Sequence, residues 1–398
     1  MAERLSPAPA WAERNPDSPD LAEVASSWRS AYVHVPFCRR RCPYCDFAVV
    51  TPDEAPGPTA TDRYVDAVIA EIAMEPPWSP LDAVNIGGGT PSALHPHGLR
   101  GIVDALERRF GFAAGVEVSL EANPEDWSDR LGAELVDMGI SRISWGVQSF
   151  DAAVLSSLGR SHTPEQASAA VSGSQRAGLN SVSVDLIFGT PGETTASWQA
   201  TVESALSLAP DHLSMYSLTV ERGTALSRAV AAGAAAPDPD DQAEKYELAV
   251  GLAERAGLVH YEVSNLARSG HPCRYNLSTW GQGEYIAFGL GAHGHREGVR
   301  RRNVRNLRVY LDRTEAGERP EGGSERTDGW AAEQERLLLG LRRRAGVATG
   351  DGGRALLVSD EGMRLVAAGV LAERDGRLVV DRPLLTDAVS VAVLSLSP

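Results

Sequence analysis

Three cysteines within eight residues are the side chains in this sequence best suited to chemistry. They are Cys38, Cys42 and Cys45, in the order Cys-Arg-Arg-Arg-Cys-Pro-Tyr-Cys. Cysteine thiolates bind zinc and iron–sulfur clusters, and four of them normally complete such a site. Three thiolates at this spacing can instead bind three corners of a [4Fe–4S] cube and leave one iron open to a small chelating molecule. The alternative is a zinc site that His34 or the distant Cys273 would complete.

A second feature is the run Gly87-Gly88-Gly89-Thr90-Pro91, which follows a short apolar segment. Glycines allow close approach to the backbone, and their exposed N–H groups can hold a carboxylate or another anion. The run is not a dinucleotide fingerprint, because that motif needs G-x-G-x-x-G at the start of a helix. No Ser/His/Asp triad, Cys/His pair or phosphate-binding loop competes with these two features.

The elements that must position these motifs alternate between short apolar runs and helix-length amphipathic segments. The alternation predicts six β/α units and a parallel sheet, because parallel neighbours need helical crossovers. Such a sheet curves into a full or partial TIM-like (β/α)6 barrel with its chemistry at the carboxyl ends of the strands. The predicted strands are Ala31–Val35, Ala83–Ile86, Val116–Leu120, Arg142–Trp145, Ser181–Ile187 and His212–Leu218. The predicted helices are Asp62–Met74, Gly98–Phe110, Asp129–Met138, Pro164–Ala177 and Thr195–Ala209.

The pattern divides the chain into four segments. It predicts a flexible lead-in, the β/α barrel, a connecting region and a small α+β domain, which span residues 1–29, 30–266, 267–330 and 331–398. The connecting region ends in a Gly- and Glu-rich linker, Glu315–Gly329. In the last segment a helix at Ala331–Arg344 precedes a second helix and a hairpin that turns at Asp375-Gly376, which is typical of a winged helix.

Composition and charge narrow the classes of function. An apolar share of 43% fits a globular protein, and a net charge of −15 argues against a general nucleic-acid binder, which needs a phosphate-neutralising face. A structural role for the winged helix is therefore favoured over DNA binding.

No stretch reaches the ~18 apolar residues of a membrane span, and the first residues lack the apolar core of a signal peptide. We expect a cytoplasmic protein, and clustered cysteines suit that reducing compartment.

Together the motifs resemble the radical S-adenosylmethionine (SAM) superfamily. Cys38–Cys45, with Tyr44 before the last cysteine, is followed one β/α unit later by GGGTP. Further segments are similar to the oxygen-independent coproporphyrinogen III oxidase group, and within it to HemW-type haem chaperones. They are AYVHVPFC, CDF, NIGGGTPS, LEANPE, GVQSF, DLIFGTPGET and AEQERLLLGLR. The resemblance runs from about Tyr32 to the C-terminus and strongly favours the iron–sulfur interpretation over zinc.

The resemblance implies that the three cysteines bind a [4Fe–4S] cluster whose open iron chelates the methionyl group of SAM. It also implies a set of SAM-binding residues, namely Tyr32, Tyr44, Gly88, Gly89, Thr90, Glu121, Gln148, Arg160 and Asp185. Glu121 suits the ribose hydroxyls, because a carboxylate accepts two hydrogen bonds, and Arg160 suits a carboxylate. In the oxidases a second SAM molecule contacts the positions that match Gly89, Thr90, Gln148, Arg160 and Asp185. Whether this chain binds one molecule or two stays open.

Two departures from the family pattern bear on the subfamily. Phe47 stands two residues after Cys45, where the oxidases have an additional cysteine, which favours the chaperone type. The chaperones share an H-N-x-x-Y-W segment associated with haem, and the corresponding run here is YNLSTW, from Tyr275 to Trp280. We expect Tyr275, Asn276 and Trp280 to line a haem site with Tyr275 as the first candidate for the iron ligand. The alternative ligands nearby are His271, Cys273, His293 and His295.

The expected function is that of a haem chaperone, which binds a [4Fe–4S] cluster, SAM and haem and transfers haem to an acceptor protein. The resemblance also implies an electron donor of the flavodoxin or ferredoxin type. The main alternative is a radical SAM enzyme, either a class C-type methyltransferase or, less favoured, a coproporphyrinogen III oxidase. A DNA-binding iron–sulfur sensor is a third, less favoured alternative. The arginines between residues 296 and 308 could contact porphyrin propionates, although such a run is more often a solvated face.

Overall fold

The structure is a computed structural model that describes residues 24–57 and 59–397. Within these residues a large sheet of twelve strands is accompanied by helices, and a second sheet of three strands lies near the C-terminus. None of the described helices combines the length and the apolar character needed to cross a membrane. The mixed α/β architecture confirms the predicted fold class.

The strands and helices are numbered in chain order. The strands are β1 (Ser30–Val35), β2 (Leu81–Gly88), β3 (Phe112–Ala122), β4 (Arg142–Gln148), β5 (Ser181–Phe188), β6 (His212–Ser217), β7 (Val259–Glu262), β8 (Asn265–Ala267), β9 (Tyr285–Gly289), β10 (His293–Arg296), β11 (Val299–Asn303), β12 (Glu321–Arg326), β13 (Val347–Ala348), β14 (Leu371–Arg374) and β15 (Arg377–Val380). The helices are α1 (Ala60–Met74), α2 (Pro96–Phe110), α3 (Asp129–Asp137), α4 (Ala152–Ser157), α5 (Pro164–Ala177), α6 (Thr195–Ser207), α7 (Ala225–Ala231), α8 (Pro239–Arg255), α9 (Arg274–Trp280), α10 (Leu307–Glu315), α11 (Gly329–Gly340), α12 (Gly350–Val358), α13 (Asp360–Ala367) and α14 (Thr386–Leu394).

The centre of the large sheet is a parallel series. The strands lie in the order β1-β2-β3-β4-β5-β6, and each pairs in parallel with the next. Every strand predicted from the sequence overlaps one of these six, which confirms the partial (β/α)6 barrel. Their apolar side chains are buried, as expected for a parallel sheet that helices cover. Because the strands are parallel, the loops that follow them meet at one edge of the sheet.

The sheet extends further than the sequence predicts. β9 pairs in parallel with β1, and β10, β11 and β12 continue beyond it as antiparallel strands. Because β12 lies inside the predicted linker Glu315–Gly329, that prediction is wrong. The β12 sequence EGGSER has no apolar residue and therefore lacks the alternation that reveals a half-buried strand.

A buried carboxylate ties this extension to the barrel. Glu71 on α1 accepts hydrogen bonds from the Gly289 N–H at 2.8 Å, the Tyr310 hydroxyl at 2.6 Å and the Asn303 amide at 2.6 Å. Burial raises the pKa of Glu71 to about 7. Three donors, one each from β9, β11 and α10, thus share one acceptor on α1.

We expect Glu71→Ala to lower the free energy of unfolding by about 3 kcal/mol or more. The reason is that three buried donors would lose their acceptor, and each unsatisfied group costs about 1–3 kcal/mol. Denaturant unfolding followed by circular dichroism measures the change. Asp66→Ala, at an exposed position of the same helix, is the control and should shift stability by no more than about 0.5 kcal/mol. Equal stabilities of the two variants would contradict the role of Glu71.

The predicted flexible lead-in, residues 1–29, falls partly within the structure. Residues 1–23 lie outside the described residues. Ala25 and Trp28 are buried in a small apolar cluster with Tyr261 and Leu277. The prediction is therefore wrong for residues 24–29, because a large indole that finds an apolar partner outweighs the polar composition around it.

The last segment has its own apolar core. That core includes Leu337, Leu356, Leu378 and Val389. Helices α12 and α13 precede the β14–β15 hairpin, and β13 pairs with β15. The hairpin turns at Asp375-Gly376, where both φ angles are positive (50° and 73°), as a tight two-residue turn requires. This arrangement confirms the winged-helix-like fold, and the predicted boundary at residue 331 stays a prediction.

Candidate functional site

The predicted cluster and SAM residues meet in one cleft at the carboxyl ends of the parallel strands. The cleft has a volume of about 770 Å³. Its walls include the three cysteines and all nine residues that the resemblance assigns to SAM, namely Tyr32, Tyr44, Gly88, Gly89, Thr90, Glu121, Gln148, Arg160 and Asp185. They come from β1 to β5 and the loops that follow, so residues up to about 150 positions apart share one site.

The three cysteines lie on the loop that follows β1. Their thiols are free and partly exposed. At its base the loop is held by a hydrogen bond from the Cys38 N–H to the Val50 carbonyl at 3.1 Å. Within the loop the Cys45 N–H donates to the Cys42 carbonyl at 3.2 Å. Burial raises the pKa of the Cys38 and Cys45 thiols. In the described residues no three His, Cys, Asp or Glu side chains are gathered closely enough to hold a single metal ion.

The available donors fit a cluster with one open corner better than a closed zinc site. Both ring nitrogens of His34 are engaged, with the Tyr32 hydroxyl at 3.0 Å and the Ala48 carbonyl at 2.9 Å. Cys273 is buried away from the cleft, and burial raises the pKa of its thiol to about 12. Neither proposed fourth zinc ligand is therefore placed to complete the site. Three thiolates of one loop are the donor set that a cluster with an open iron requires.

A chain of polar contacts connects two of the cysteines. The Thr90 hydroxyl donates to Cys38 Sγ at 3.5 Å and accepts from the Asn123 amide at 3.0 Å. The Asn123 side-chain oxygen accepts from Arg160, whose Nη1 lies 3.8 Å from Cys42 Sγ. A hydroxyl donor and a cation thus face two of the sulfurs, and both counteract the effect of burial on the pKa of the Cys38 thiol.

Arg160 has donor capacity left for a ligand. Its Nη2 donates to the Gly146 carbonyl at 2.8 Å. Its Nε is buried and has no hydrogen-bond partner among the described residues, and the side chain lines the cleft. An unused guanidinium donor next to a cleft suits a carboxylate such as that of the methionyl group.

The glycine run lets the end of β2 pass close to its neighbours. A Cβ at Gly87 would lie 2.5 Å from the Glu121 carboxylate, and one at Gly88 would lie 2.6 Å from the His34 ring. Gly88 also has a φ of +113°, which residues with a side chain rarely adopt. The glycines are thus needed for packing in addition to any contact with a ligand.

Glu121 is a buried carboxylate at the edge of the cleft. Its two oxygens accept from the Asn85 amide at 3.2 Å and the Gly88 N–H at 3.1 Å. Burial, with a further contribution from the charge of Asp185, raises its pKa. A carboxylate that uses one acceptor site on each oxygen keeps the others for two ligand hydroxyls.

Asp185 and Gln148 complete the wall on the side of β4 and β5. Asp185 accepts from the Ser144 hydroxyl at 2.8 Å and from the Ser183 hydroxyl at 3.2 Å, and burial raises its pKa. Gln148 has a φ of +66° and lies where the register between β4 and β5 shifts. Such left-handed backbone is costly for a residue other than glycine and concentrates at functional sites.

The residues predicted for haem are not brought together in this cleft. Tyr275 lines it, with its ring stacked on Tyr32 at 5.9 Å and in contact with Tyr285 at 6.0 Å. Asn276 and Trp280 do not line it, and Trp280 lies under the guanidinium of Arg342 at 4.7 Å. The two ends of the short helix α9 therefore have different neighbours.

Sequence reasoning missed two residues of the site, Asn123 and Glu125. Both line the cleft and belong to the LEANPE segment after β3, so their place at a strand end was the available signal. Burial alone would raise the pKa of Glu125, but His162, whose Nδ1 lies 3.6 Å away, and a hydrogen bond from the Ser161 hydroxyl at 2.6 Å outweigh it and lower the pKa to about 2. Glu125 is therefore ionised and supports the charge of Arg160.

Comparison with known proteins agrees with this geometry. The family model of the radical SAM superfamily matches residues 32–205. The chain is 38% identical over 379 residues to the heme chaperone HemW of Mycobacterium tuberculosis, with 93% of this chain and 96% of the relative covered. It is 34% identical over 325 residues to HemW of Bacillus subtilis, with 80% and 85% covered. The solved structure of the coproporphyrinogen III oxidase HemN from Escherichia coli superposes with a TM-score of 0.78 over 95% of this chain and 92% of that one, at 19% identity, and so shares the fold.

Proposed function

This chain belongs to the radical SAM superfamily and to its HemW family, and we propose that it is a haem chaperone. It binds a [4Fe–4S] cluster, SAM and haem, and it transfers haem to an acceptor protein. The observation that carries the proposal is the single cleft in which three cysteines of one loop face the glycine run, Glu121 and Arg160. Phe47, rather than a further cysteine, stands beside that loop.

Different residues of the cleft bind the cluster and SAM. Cys38, Cys42 and Cys45 hold the cluster, which when bound can supply an electron to the sulfonium of SAM. Thr90 and Arg160 direct a hydroxyl and a cation at two of the sulfurs. Both favour deprotonation of the Cys38 thiol, whose pKa burial raises.

SAM binding depends on the other wall of the cleft. Glu121 accepts the ribose hydroxyls, and the guanidinium of Arg160, which lines the cleft, binds a carboxylate. Tyr32 and Tyr44 provide aromatic surface for the nucleoside. The remaining assigned residues, Gly88, Gly89, Thr90, Gln148 and Asp185, line the same space. Equilibrium dialysis of SAM against the cluster-loaded protein measures whether one molecule or two bind.

The partners follow from the same proposal. Haem and an acceptor protein are the cargo and its recipient, and an electron donor of the flavodoxin or ferredoxin type reduces the cluster. Arg40 on the cysteine loop is exposed at the mouth of the cleft, which suits the acidic surface of such a donor. We place the protein in the cytoplasm, where thiols stay reduced.

We expect the anaerobically reconstituted protein to bind haem and to leave coproporphyrinogen III unchanged. Haem titration followed by absorbance tests the first expectation. Product chromatography, with an authentic coproporphyrinogen III oxidase assayed in parallel, tests the second. The reason for the second is that Phe47 has no thiol to take the place of the additional cysteine.

The two measurements separate the candidate functions. A protein that binds no haem in this titration is not a haem chaperone. Decarboxylation of coproporphyrinogen III would show instead an oxidase that does not need the additional cysteine.

A further inference from the structure

One wall of the cleft is lined by two segments. They contribute Asp46, Phe47, Ala48 and Val49 after the last cysteine, and Gly291, His293 and Arg305. Arg305 donates from its guanidinium to the Asp46 carbonyl at 2.9 Å. A Cβ at Gly291 would lie 3.2 Å from the Ala48 side chain and 3.4 Å from Arg305 Cγ. The two segments therefore pack closely and surround one opening of the cleft.

An aromatic side chain lies exposed at this opening. Phe47 lines the cleft, yet 58% of its surface is exposed to water. An exposed aromatic ring at the mouth of a ligand cleft leaves apolar area that a bound ligand can cover. Its flat face suits a flat apolar ligand.

His293 lies at the start of β10, on the same wall. Its side chain is exposed and lines the cleft, and neither ring nitrogen has a hydrogen-bond partner among the described residues. Partial burial and the charges of Arg302, Arg305 and Arg300 lower its pKa, so the imidazole is neutral near pH 7. Neutral imidazole is the form that ligates iron.

The other residues that could ligate the haem iron are less accessible from the cleft or less suited to bind iron. His271 faces Asp211 at 3.8 Å and Cys273 is buried, and both lie away from the cleft. His295 packs against Tyr285 at 6.3 Å, also outside the cleft. Tyr275 lines the cleft, but burial raises the pKa of its phenol far above the ordinary value, which disfavours a phenolate.

Cations stand next to this opening in an otherwise acidic protein. Several arginines between residues 296 and 308 are paired: Arg296 with Glu75, Arg300 with Glu335, and Arg301 with Glu321. Arg305 instead lines the cleft and binds only a backbone carbonyl among the described residues, as Arg40 lines it from the cysteine loop. Both can meet the carboxylates of an anionic ligand.

From this arrangement we propose that haem binds at the outer opening of the cleft, with His293 as the iron ligand, Phe47 against the porphyrin face and Arg305 at a propionate. The inference rests on the proposed function and specifies its binding site. It places haem beside the cysteine loop and takes no iron ligand from helix α9, whose sequence corresponds to the haem segment of the relatives.

Ferric haem titration of single variants tests the site. We expect His293→Ala to weaken haem binding by about tenfold or more, since changes that merely support a metal ligand already cost 10- to 100-fold. The nitrogen-ligated absorption and electron paramagnetic resonance spectra should be lost as well. His295→Ala, two residues further along β10, is the matched control and should bind haem like the unaltered protein. Phe47→Ala should weaken binding while the ligand spectrum is retained.

The outcomes distinguish this inference from the function on which it rests. If the unaltered protein binds haem and His293→Ala binds it equally well with the same spectrum, the proposed site is wrong and the chaperone function stands. A spectrum altered by Tyr275→Phe and not by His293→Ala would assign the iron to Tyr275 instead. If the unaltered protein binds no haem, both proposals fail. Circular dichroism melts of each variant show that the fold is retained, which an exposed position such as His293 should allow.

Discussion

Replacing Cys42 with Ala should abolish the [4Fe–4S] cluster. The three thiols of one loop are the donors that the cleft offers, and among the described residues neither His34 nor Cys273 is placed to compensate for a lost one. After anaerobic reconstitution we expect cluster absorbance, iron and sulfide to fall to background. Because the chain would also lose the chelating iron, cluster-dependent binding of SAM should be lost with them.

Cys273→Ala is the matched control for this experiment. Cys273 is buried away from the cleft, and its backbone N–H donates to the Tyr261 hydroxyl at 3.3 Å. The variant should keep a full cluster, and circular dichroism should show that both variants are folded. Stoichiometric zinc in the anaerobically purified protein, or cluster loss in the Cys273 variant alone, would refute the three-cysteine assignment.

Glu121→Ala should weaken SAM binding by about 10- to 150-fold. An ionic acceptor of hydrogen bonds contributes about 1.5–3 kcal/mol, and Glu121 is the buried carboxylate assigned to the ribose hydroxyls. Equilibrium dialysis or calorimetry on the cluster-loaded protein measures the affinity. The variant should retain its cluster, since Glu121 does not contact the cysteines.

Two further variants make this result interpretable. Glu107→Ala removes an exposed acid from α2 and should leave SAM affinity unchanged, which controls for net charge. Glu121→Gln keeps the size of the side chain and one acceptor oxygen, which can still accept from the Gly88 N–H, and it should weaken binding less than Ala does. Unchanged affinity in Glu121→Ala would remove this residue from the SAM site.

The sequence alone determined the features that depend on local pattern. The strands from Ser30 to Ser217 were predictable, because parallel strands are short apolar runs between amphipathic helices. The turn at Asp375-Gly376 was predictable because a two-residue hairpin needs residues that tolerate positive φ. The resemblance to the radical SAM superfamily implied the cleft residues, and a parallel sheet brings the strand ends that carry them to one edge.

Only the tertiary structure decided the features that depend on distant partners. β9 joins β1 across more than half of the chain, and β12 is a strand because β11 offers it hydrogen bonds. Asn123 connects two other residues of the site, because its amide donates to the Thr90 hydroxyl and its side-chain oxygen accepts from Arg160.

The haem region shows most clearly the difference between what the sequence predicts and what only the tertiary structure decides. Tyr275 and Trp280 share one short helix in the sequence, yet Tyr275 packs on Tyr32 in the cleft while Trp280 packs under Arg342. His293 and Phe47 are far apart in the sequence and line the same opening. Spacing along a helix specifies which residues are neighbours on that helix, but contacts made by other elements specify what each of them faces. Those contacts arise from long-range packing, which no local pattern encodes.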